Sequence, residues 1–254
     1  REITDSIQYA KRIQNAILPP ARIVKEFLPN SFIFYKPKDI VAGDFYWMET
    51  IGPTVFFAAA DCTGHGVPGA MVSVICVNGL NRSVREFGLT NPGEILDKTR
   101  QMVIQEFEKS DEEVKDGMDI SLCALNTKTK MLEWAGANNP LWIVRNSDTN
   151  HAENPMEIKA DKQPIGQSIN ATAFQTHAVP LDEGDTLYIF SDGFQDQFGG
   201  ERGKKYMSVQ FKQTLLNLAK QPMENQGKLL ELEFNNWKGE HEQIDDVCVI
   251  GVKI

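Results

Sequence analysis

Hydrophobic residues near the start of the chain recur every three to four positions. Within residues 1–28 they alternate with charged and amide side chains, a spacing typical of one face of an amphipathic helix. The apolar positions of this stripe are Ile3, Ile7, Ala10, Ile13 and Ile17. The adjacent prolines Pro19 and Pro20 predict a break in the helix. So short a stripe leaves two alternatives open: packing against the rest of the chain, or continuing a coiled coil from a preceding module.

After residue 28 the pattern changes to short runs of β-branched and aromatic residues bounded by Gly, Pro, Asn or Asp, which predict β-strands. The predicted strands are 31–36, 55–60, 120–125, 131–135, 141–144, 173–179, 186–190 and 247–253, and the predicted helices are 68–87, 93–113, 209–220 and 225–238. Because the strands are grouped, the pattern predicts an α+β fold of layered antiparallel sheets. A receiver domain phosphorylated on Asp61 would need alternating strands and helices, so it fits poorly.

The bulk composition narrows the class of protein. With 254 residues, 41% hydrophobic and 24% charged, the chain can bury a sizeable core. The formal net charge is −9 and no long Lys/Arg run occurs, which argues against a nucleic-acid binder. No signal peptide or bilayer-spanning apolar run is visible, so we expect a cytoplasmic protein with no membrane segment here. The four cysteines form no CxxC pair and are predicted to be buried free thiols.

Four aspartates lie at the ends of apolar segments or beside glycines: Asp44, Asp61, Asp192 and Asp245. A buried carboxylate is costly unless it is paired or coordinated, and no matching Lys or Arg lies close by in sequence. Each aspartate alone is weak evidence, because Asp-Gly is first of all a turn dipeptide and an Asp before a strand is often a cap. Together they favour a site for hard divalent cations such as Mg²⁺ or Mn²⁺.

Two such cations would suit one kind of chemistry. Held about 3.5–4 Å apart, they lower the pKa of a bridging water and align it with a phosphorus atom. That reaction needs no Ser or Cys nucleophile, and the chain has neither a GxSxG elbow nor a convincing Cys/His pair. The residues alone therefore suggest metal-assisted hydrolysis of a phosphate ester.

Several short motifs resemble those of one enzyme family. They are 42–46 (AGDFY), 61–66 (DCTGHG), 191–193 (SDG) and Asp245-Asp246, with weaker similarities at 135–141 and 164–166. From about residue 32 to residue 254 the chain therefore resembles the SpoIIE-like phosphatases, the bacterial branch of the PPM (type 2C) metal-dependent serine/threonine protein phosphatases.

The resemblance implies an αββα sandwich, in which two mainly antiparallel sheets are flanked by helices, over residues 29–254. It also implies a water held between two divalent cations, Mn²⁺ or Mg²⁺, that attacks phosphoserine or phosphothreonine. Asp44 and Asp61 would bridge or hold the two metals, and the backbone carbonyl of Cys62 would add a ligand. Asp192 and Asp245 would complete the shell of the second metal. Cys62 is a mild departure, since many relatives have Gly or Val there, and a backbone ligand tolerates it.

The resemblance extends to partners. Residues 1–28 would link an upstream sensor to the phosphatase and support a homodimer, and the phosphoprotein substrate would be a small anti-sigma-factor antagonist. Two roles stay open: His65 is interpreted mainly as structural, and Asp119 is equally a metal-site acid or a strand-start acid. The competing hypothesis is a non-catalytic signalling or scaffold module that binds a partner through its first helix.

Overall fold

Two five-stranded antiparallel sheets form the centre of the computed structural model, which describes residues 1–148 and 151–254. Strands are numbered in chain order. The first sheet has the order β2 (Asp44–Ile51), β3 (Thr54–Cys62), β4 (Met118–Asn126), β5 (Met131–Ala137) and β8 (His177–Pro180). The second has the order β1 (Ser31–Lys36), β12 (Val247–Lys253), β9 (Thr186–Phe190), β6 (Leu141–Val144) and β7 (Met156–Ile158). A short hairpin, β10 (Phe198–Gly199) and β11 (Lys204–Lys205), stands apart.

The helices cover the outer faces of the sheets. They are α1 (Glu2–Ile17), α2 (Ala21–Phe27), α3 (Gly66–Arg85), α4 (Pro92–Glu108), α5 (Gly193–Asp196), α6 (Ser208–Leu218) and α7 (Met223–Lys238), with a 3₁₀ turn at Asn146–Asp148. Apolar side chains of α3 and α4 pack on the first sheet, and those of α6 and α7 pack on the second. The predicted α+β class and the αββα sandwich are therefore confirmed.

The apolar run in β3 shows why the sheets are stacked in this way. Alternate side chains of a strand point to opposite faces. Phe57 and Ala59 lie in the core between the two sheets, whereas Phe56 and Ala58 lie under α3 and α4. Because both faces of this strand are covered, its residues 55–60 are all hydrophobic instead of alternating with polar residues.

Two predicted elements are wrong by four or more residues at one end, whereas the other predicted bounds differ from the structure by two residues at most. The strand expected over 173–179 begins only at His177, because the N–H groups of Phe174 and Gln175 donate to the carboxylates of Asp97 and Asp161 instead of to a neighbouring strand. The helix expected over 93–113 ends at Glu108. Three consecutive acids at 111–113 would lie at its negative end, where the helix dipole disfavours them.

Other elements were not anticipated. Strand β2 was not predicted, because its sequence DFYWMETI carries acids at both ends of a short aromatic run. The short elements β7, β10, β11 and α5 span two to four residues each, too few for any periodicity to show.

The first helix ends before Pro19 and the second begins after Pro20, so the predicted break is confirmed. Helix α1 packs beside α3, and the buried side-chain amide of Gln14 donates to the carbonyl of Ala42 at 2.6 Å and accepts from its N–H at 2.9 Å. The helix thus packs on the chain's own domain, and Ile7 and Ala10 of the stripe are half-buried. Its outward edge, which includes Ile3 and Ile13, is exposed and keeps the coiled-coil alternative open.

All four cysteines are free and buried, as predicted. Within the described residues, no helix combines the length and the apolar character that crossing a bilayer requires.

Candidate active site

Three aspartates lie side by side at one end of the first sheet. In the strand register Asp44 of β2 pairs with Asp61 of β3, and Asp61 pairs with Asp119 of β4. Residues directly opposite each other in antiparallel strands project from the same face. In β3, Asp61 continues the odd-numbered series of Phe57 and Ala59, which faces the other sheet. The row of carboxyl groups therefore points toward the second sheet.

The second sheet contributes two more aspartates at the same place. Asp192 lies two residues after the end of β9, and Asp245 lies two residues before β12, its antiparallel neighbour. Gly193 lets these two segments come together, because a Cβ at this position would lie 1.8 Å from the carbonyl oxygen of Asp246. The local sequence Asp192-Gly193 therefore reflects close packing as well as a turn.

Four of these five aspartates line one cleft of about 390 Å³: Asp61, Asp119, Asp192 and Asp245. Cys62, His65 and Lys115 are among the other residues that line it. All the residues that the sequence singled out line this cleft except Asp44, which pairs with Asp61 in the strand register. The cleft also contains Asp119 and His65, whose roles were left open, and Lys115, which was not considered.

Asp44 lies behind the cleft. Its side chain is buried and its carboxylate accepts a hydrogen bond from the Ser191 hydroxyl, next to Asp192. Its backbone carbonyl accepts a hydrogen bond from the Tyr35 hydroxyl at 2.8 Å. Asp44 therefore links the ends of the two sheets.

The consecutive acids Asp245 and Asp246 have different surroundings. Asp246 is buried and its carboxylate accepts hydrogen bonds from the N–H groups of Lys38 and Gly43, both at 2.8 Å. It holds the segment that leads into Asp44. Asp245, in contrast, lines the cleft and accepts a hydrogen bond from the N–H of Asp246 at 2.8 Å. Only the first of the two aspartates faces the space where a ligand would bind.

The crowding of acids shifts their proton affinities. Burial, followed by the charges of Asp44 and Asp192, raises the pKa of Asp61 to about 12. Burial and the nearby charge of Asp192 raise the pKa of Asp245 to about 6, against the lowering effect of the Asp246 N–H. Burial also raises the pKa of Asp119, although its hydrogen bond from Asn138 opposes the shift. So many carboxylates cannot all be ionised unless positive charge is placed among them.

The donor set fits divalent cations of the Mg²⁺ or Mn²⁺ type, which prefer carboxylate, carbonyl and water oxygens. The Oδ1 atom of Asp192 is buried and has no hydrogen-bond partner, as expected of an oxygen that a cation would satisfy. Among the described residues, however, no three His, Cys, Asp or Glu side chains are grouped so that they could hold an ion by themselves. An ion would therefore also take a backbone carbonyl, such as that of Cys62, and waters.

Two features of the rim were not visible in the sequence. The Nδ1 atom of His65 lies 2.9 Å from Oδ2 of Asp39, which was not singled out because it lies in a loop with no recognisable motif. Thr63 is joined to Gly117 by three hydrogen bonds, two of them to or from its side-chain hydroxyl. These contacts hold the DCTGHG turn against the loop that precedes β4.

The match to known families agrees with this geometry. The profile of the family described as Stage II sporulation protein E (SpoIIE) matches residues 52–254. The chain belongs to the SpoIIE family. The resemblance predicted from the motifs is therefore confirmed, and the chain has the fold of a PP2C-type protein phosphatase.

Solved structures extend the comparison beyond the SpoIIE profile. The SiaA-PP2C domain of Pseudomonas aeruginosa is 31% identical, with a TM-score of 0.88 over 100% of this chain and 97% of that one. A SpoIIE structure from Bacillus subtilis, comprising the PP2C phosphatase domain and a fragment of the regulatory domain, is 20% identical, with a TM-score of 0.68 over 88% of this chain and 62% of that one. RsbX in complex with magnesium is 12% identical, with a TM-score of 0.55 over 88% and 94%. The last two show the fold alone, and no curated protein matches the chain.

Proposed function

We propose that this SpoIIE-family protein hydrolyses phosphoserine or phosphothreonine on a protein substrate, using water and two divalent cations. One observation carries the proposal: aspartates from both sheets converge on one cleft, and a buried Asp192 oxygen there has no partner. Hydrogen-bond donors would be expected around such acids if they were only structural.

The cations, Mn²⁺ or Mg²⁺, would be held by Asp61, by the backbone carbonyl of Cys62, and by Asp192 and Asp245. When bound, they would lower the pKa of a water and polarise the phosphoryl group. Asp44, which lies opposite Asp61 in the strand register and is bonded to Ser191, would bridge or hold the two cations together with Asp61. RsbX, a structural relative, was solved in complex with magnesium, which supports the type of ion.

The protein's own residues have separate tasks in this proposal. The carboxylates of Asp61, Asp192 and Asp245 fix the position of the attacking water relative to the phosphorus atom. His65 lines the cleft and its Nδ1 lies 2.9 Å from Oδ2 of Asp39, so it would hold the turn that carries Asp61 against the loop of Asp39.

We further propose the organisation and setting of the enzyme. Residues 1–28 would be a linker and dimerisation helix, and residues 29–254 the phosphatase domain. An upstream sensor would act on the phosphatase domain through the linker. The substrate would be a cytoplasmic signalling phosphoprotein such as an anti-sigma-factor antagonist. The protein would bind no nucleic acid, and this segment would not insert into a membrane. Exposed Ile3, Tyr9 and Ile13 on α1 support the homodimer. Light scattering with and without residues 1–28 tests it, and loss of the dimer on truncation is the expected result.

The test of the catalytic proposal is Mn²⁺-dependent hydrolysis of p-nitrophenyl phosphate and of a phosphoserine protein. We expect Asp192→Ala to lower kcat at least about 10³-fold, because it removes an oxygen that positions the cations. Asp182→Ala, an exposed aspartate in a distant turn, is the matched control and should retain full activity. Unchanged activity in Asp192→Ala would refute the proposal. Calorimetry showing no Mn²⁺ or Mg²⁺ binding at millimolar concentration would favour the non-catalytic module instead.

A further inference from the structure

Lys115 is a basic side chain at the edge of the aspartate-lined cleft. It lies in the loop of residues 109–117, between α4 and β4, and is one of the residues that line the cleft. Among the described residues around this space, it carries the one ammonium or guanidinium group. A phosphate ester that enters the cleft therefore meets a single such cation supplied by the protein.

The backbone next to Lys115 is firmly placed. The N–H of Thr63 donates to the carbonyl of Gly117 at 2.9 Å, and the N–H of Gly117 donates to the Thr63 hydroxyl at 3.1 Å. A Cβ on Gly117 would lie 2.0 Å from the carbonyl oxygen of Ile165, so this position packs tightly. The chain two residues after Lys115 is thus tied to the same turn that carries Asp61 and Cys62.

The present partner of Lys115 is easily exchanged. Its Nζ lies 2.9 Å from Oε1 of Glu113, but the two side chains are 65% and 73% exposed. Ion pairs this exposed contribute little, because water and salt screen them. The ammonium group can therefore leave Glu113 for a phosphate that arrives with two negative charges.

The charge balance of the cleft indicates a role for the ammonium group of Lys115. Two divalent cations would offset the four lining aspartates, which leaves the charge of a phosphoryl dianion without a counterion from the protein. We propose that Nζ of Lys115 binds a non-reacting oxygen of the substrate's phosphoryl group and thereby sets substrate affinity. This inference rests on the proposed function, and it assigns to Lys115 binding and positioning of the phosphate.

Three variants test the inference through KM and kcat on a phosphoserine protein with Mn²⁺ present. Lys115→Met should raise KM about tenfold, as expected for loss of one charge-assisted hydrogen bond, with kcat within about twofold. Lys115→Arg, which keeps the charge, should restore KM to within about threefold. Lys109→Met is the matched control, because Lys109 is similarly exposed and bonded to a glutamate, at 2.8 Å, but does not line the cleft.

A second measurement separates this inference from the proposed function. Calorimetric binding of inorganic phosphate in the presence of Mg²⁺ should weaken about tenfold in Lys115→Met and stay unchanged in Lys109→Met. This holds even if the wild-type chain hydrolyses nothing, an outcome that would count against the proposed function alone. Equal KM values and equal phosphate affinities in wild type and Lys115→Met would overturn the role of Lys115.

Discussion

The two ends of strand β9 each carry a buried aspartyl oxygen, and the two are treated in opposite ways. Asp185 precedes the strand, and its carboxylate accepts hydrogen bonds from the guanidinium of Arg145 and the N–H groups of Asn146 and Asp182, all at 2.8 Å. Asp192 follows the strand, and its buried Oδ1 has no hydrogen-bond partner. The same residue type on the same strand is therefore fully satisfied at one end and left open at the other.

The difference lies in what surrounds each acid. Burial by itself would raise the pKa of Asp185, but the donors of Asn146, Asp182 and Arg145 together lower it. Around Asp192 the neighbours are other carboxylates: burial, followed by the charges of Asp44 and Asp192, raises the pKa of the adjacent Asp61 to about 12. Burial alone thus does not distinguish a structural acid from an acid of a functional site. The two kinds of acid are distinguished by whether their neighbours are hydrogen-bond donors or other carboxylates.

The largest effect that would sharpen this comparison is expected at Asp61. Asp61→Asn removes a charged ligand from the centre of the cluster and should lower Mn²⁺-dependent kcat on p-nitrophenyl phosphate at least about 10³-fold. Because burial and the charges of Asp44 and Asp192 raise the pKa of Asp61 to about 12, this acid is protonated in the metal-free protein. A neutral amide in its place should therefore not lower the free energy of unfolding measured in urea without metal. An Asp61→Asn protein that is inactive only because it is unfolded would contradict the interpretation of this acid as a site residue.

The reverse result is expected at the other end of β9. Asp185→Asn places an amide among three donors, so at least one donor loses its acceptor and the ion pair between Asp185 and Arg145 is lost. We expect the free energy of unfolding in urea to fall by about 3 kcal/mol, with kcat per folded molecule unchanged. Asp182→Asn, an exposed change in the same turn, should alter stability by less than about 0.5 kcal/mol. A lower kcat in folded Asp185→Asn would break the distinction between the two ends.

Much of the fold could be predicted because its signals are local. The strands 31–36, 141–144, 186–190 and 247–253 were predicted with the bounds that the structure has, since each is a run of β-branched and aromatic residues. Strand β8 shows the limit. Its expected first residues bond to Asp97 and Asp161, which lie far away in the chain, and no local pattern reveals such partners.

In the candidate site, too, local signals could be predicted from the sequence and long-range contacts could not. The four aspartates beside glycines or strand ends were recognisable, but the alignment of Asp44, Asp61 and Asp119 depends on strand register, which is a long-range property. The sequence also could not show that Asp44 bonds to Ser191. Lys115 was overlooked because its loop carries no motif, and its position depends on contacts between Gly117 and Thr63.

A smaller effect concerns the stabilisation that a bound metal gives. A ligand that binds only the folded state at ten times its Kd stabilises it by about 1.4 kcal/mol. Thermal unfolding should therefore shift upward when Mn²⁺ is added to the wild type or to Asp185→Asn. The shift should be lost in Asp192→Ala, which lacks the unpartnered oxygen. An equal shift in Asp192→Ala would mean that the ion binds elsewhere, and the contrast between the two ends of β9 would lose its explanation.

The smallest effect is the pH dependence of the stability that Asp185 provides. Its folded-state pKa is lowered below the usual aspartate value of about 3.9, because the donors of Asn146, Asp182 and Arg145 outweigh burial. An acid with a depressed folded pKa contributes its stability above the unfolded pKa and loses it as pH falls through the folded pKa. The difference in unfolding free energy between wild type and Asp185→Asn should therefore be constant from pH 7 to about pH 5 and shrink below about pH 4. Urea titrations of both proteins across this range measure it. A difference that grows on acidification would mean that Asp185 is held protonated in the folded protein, as the raised pKa of Asp61 implies for that acid.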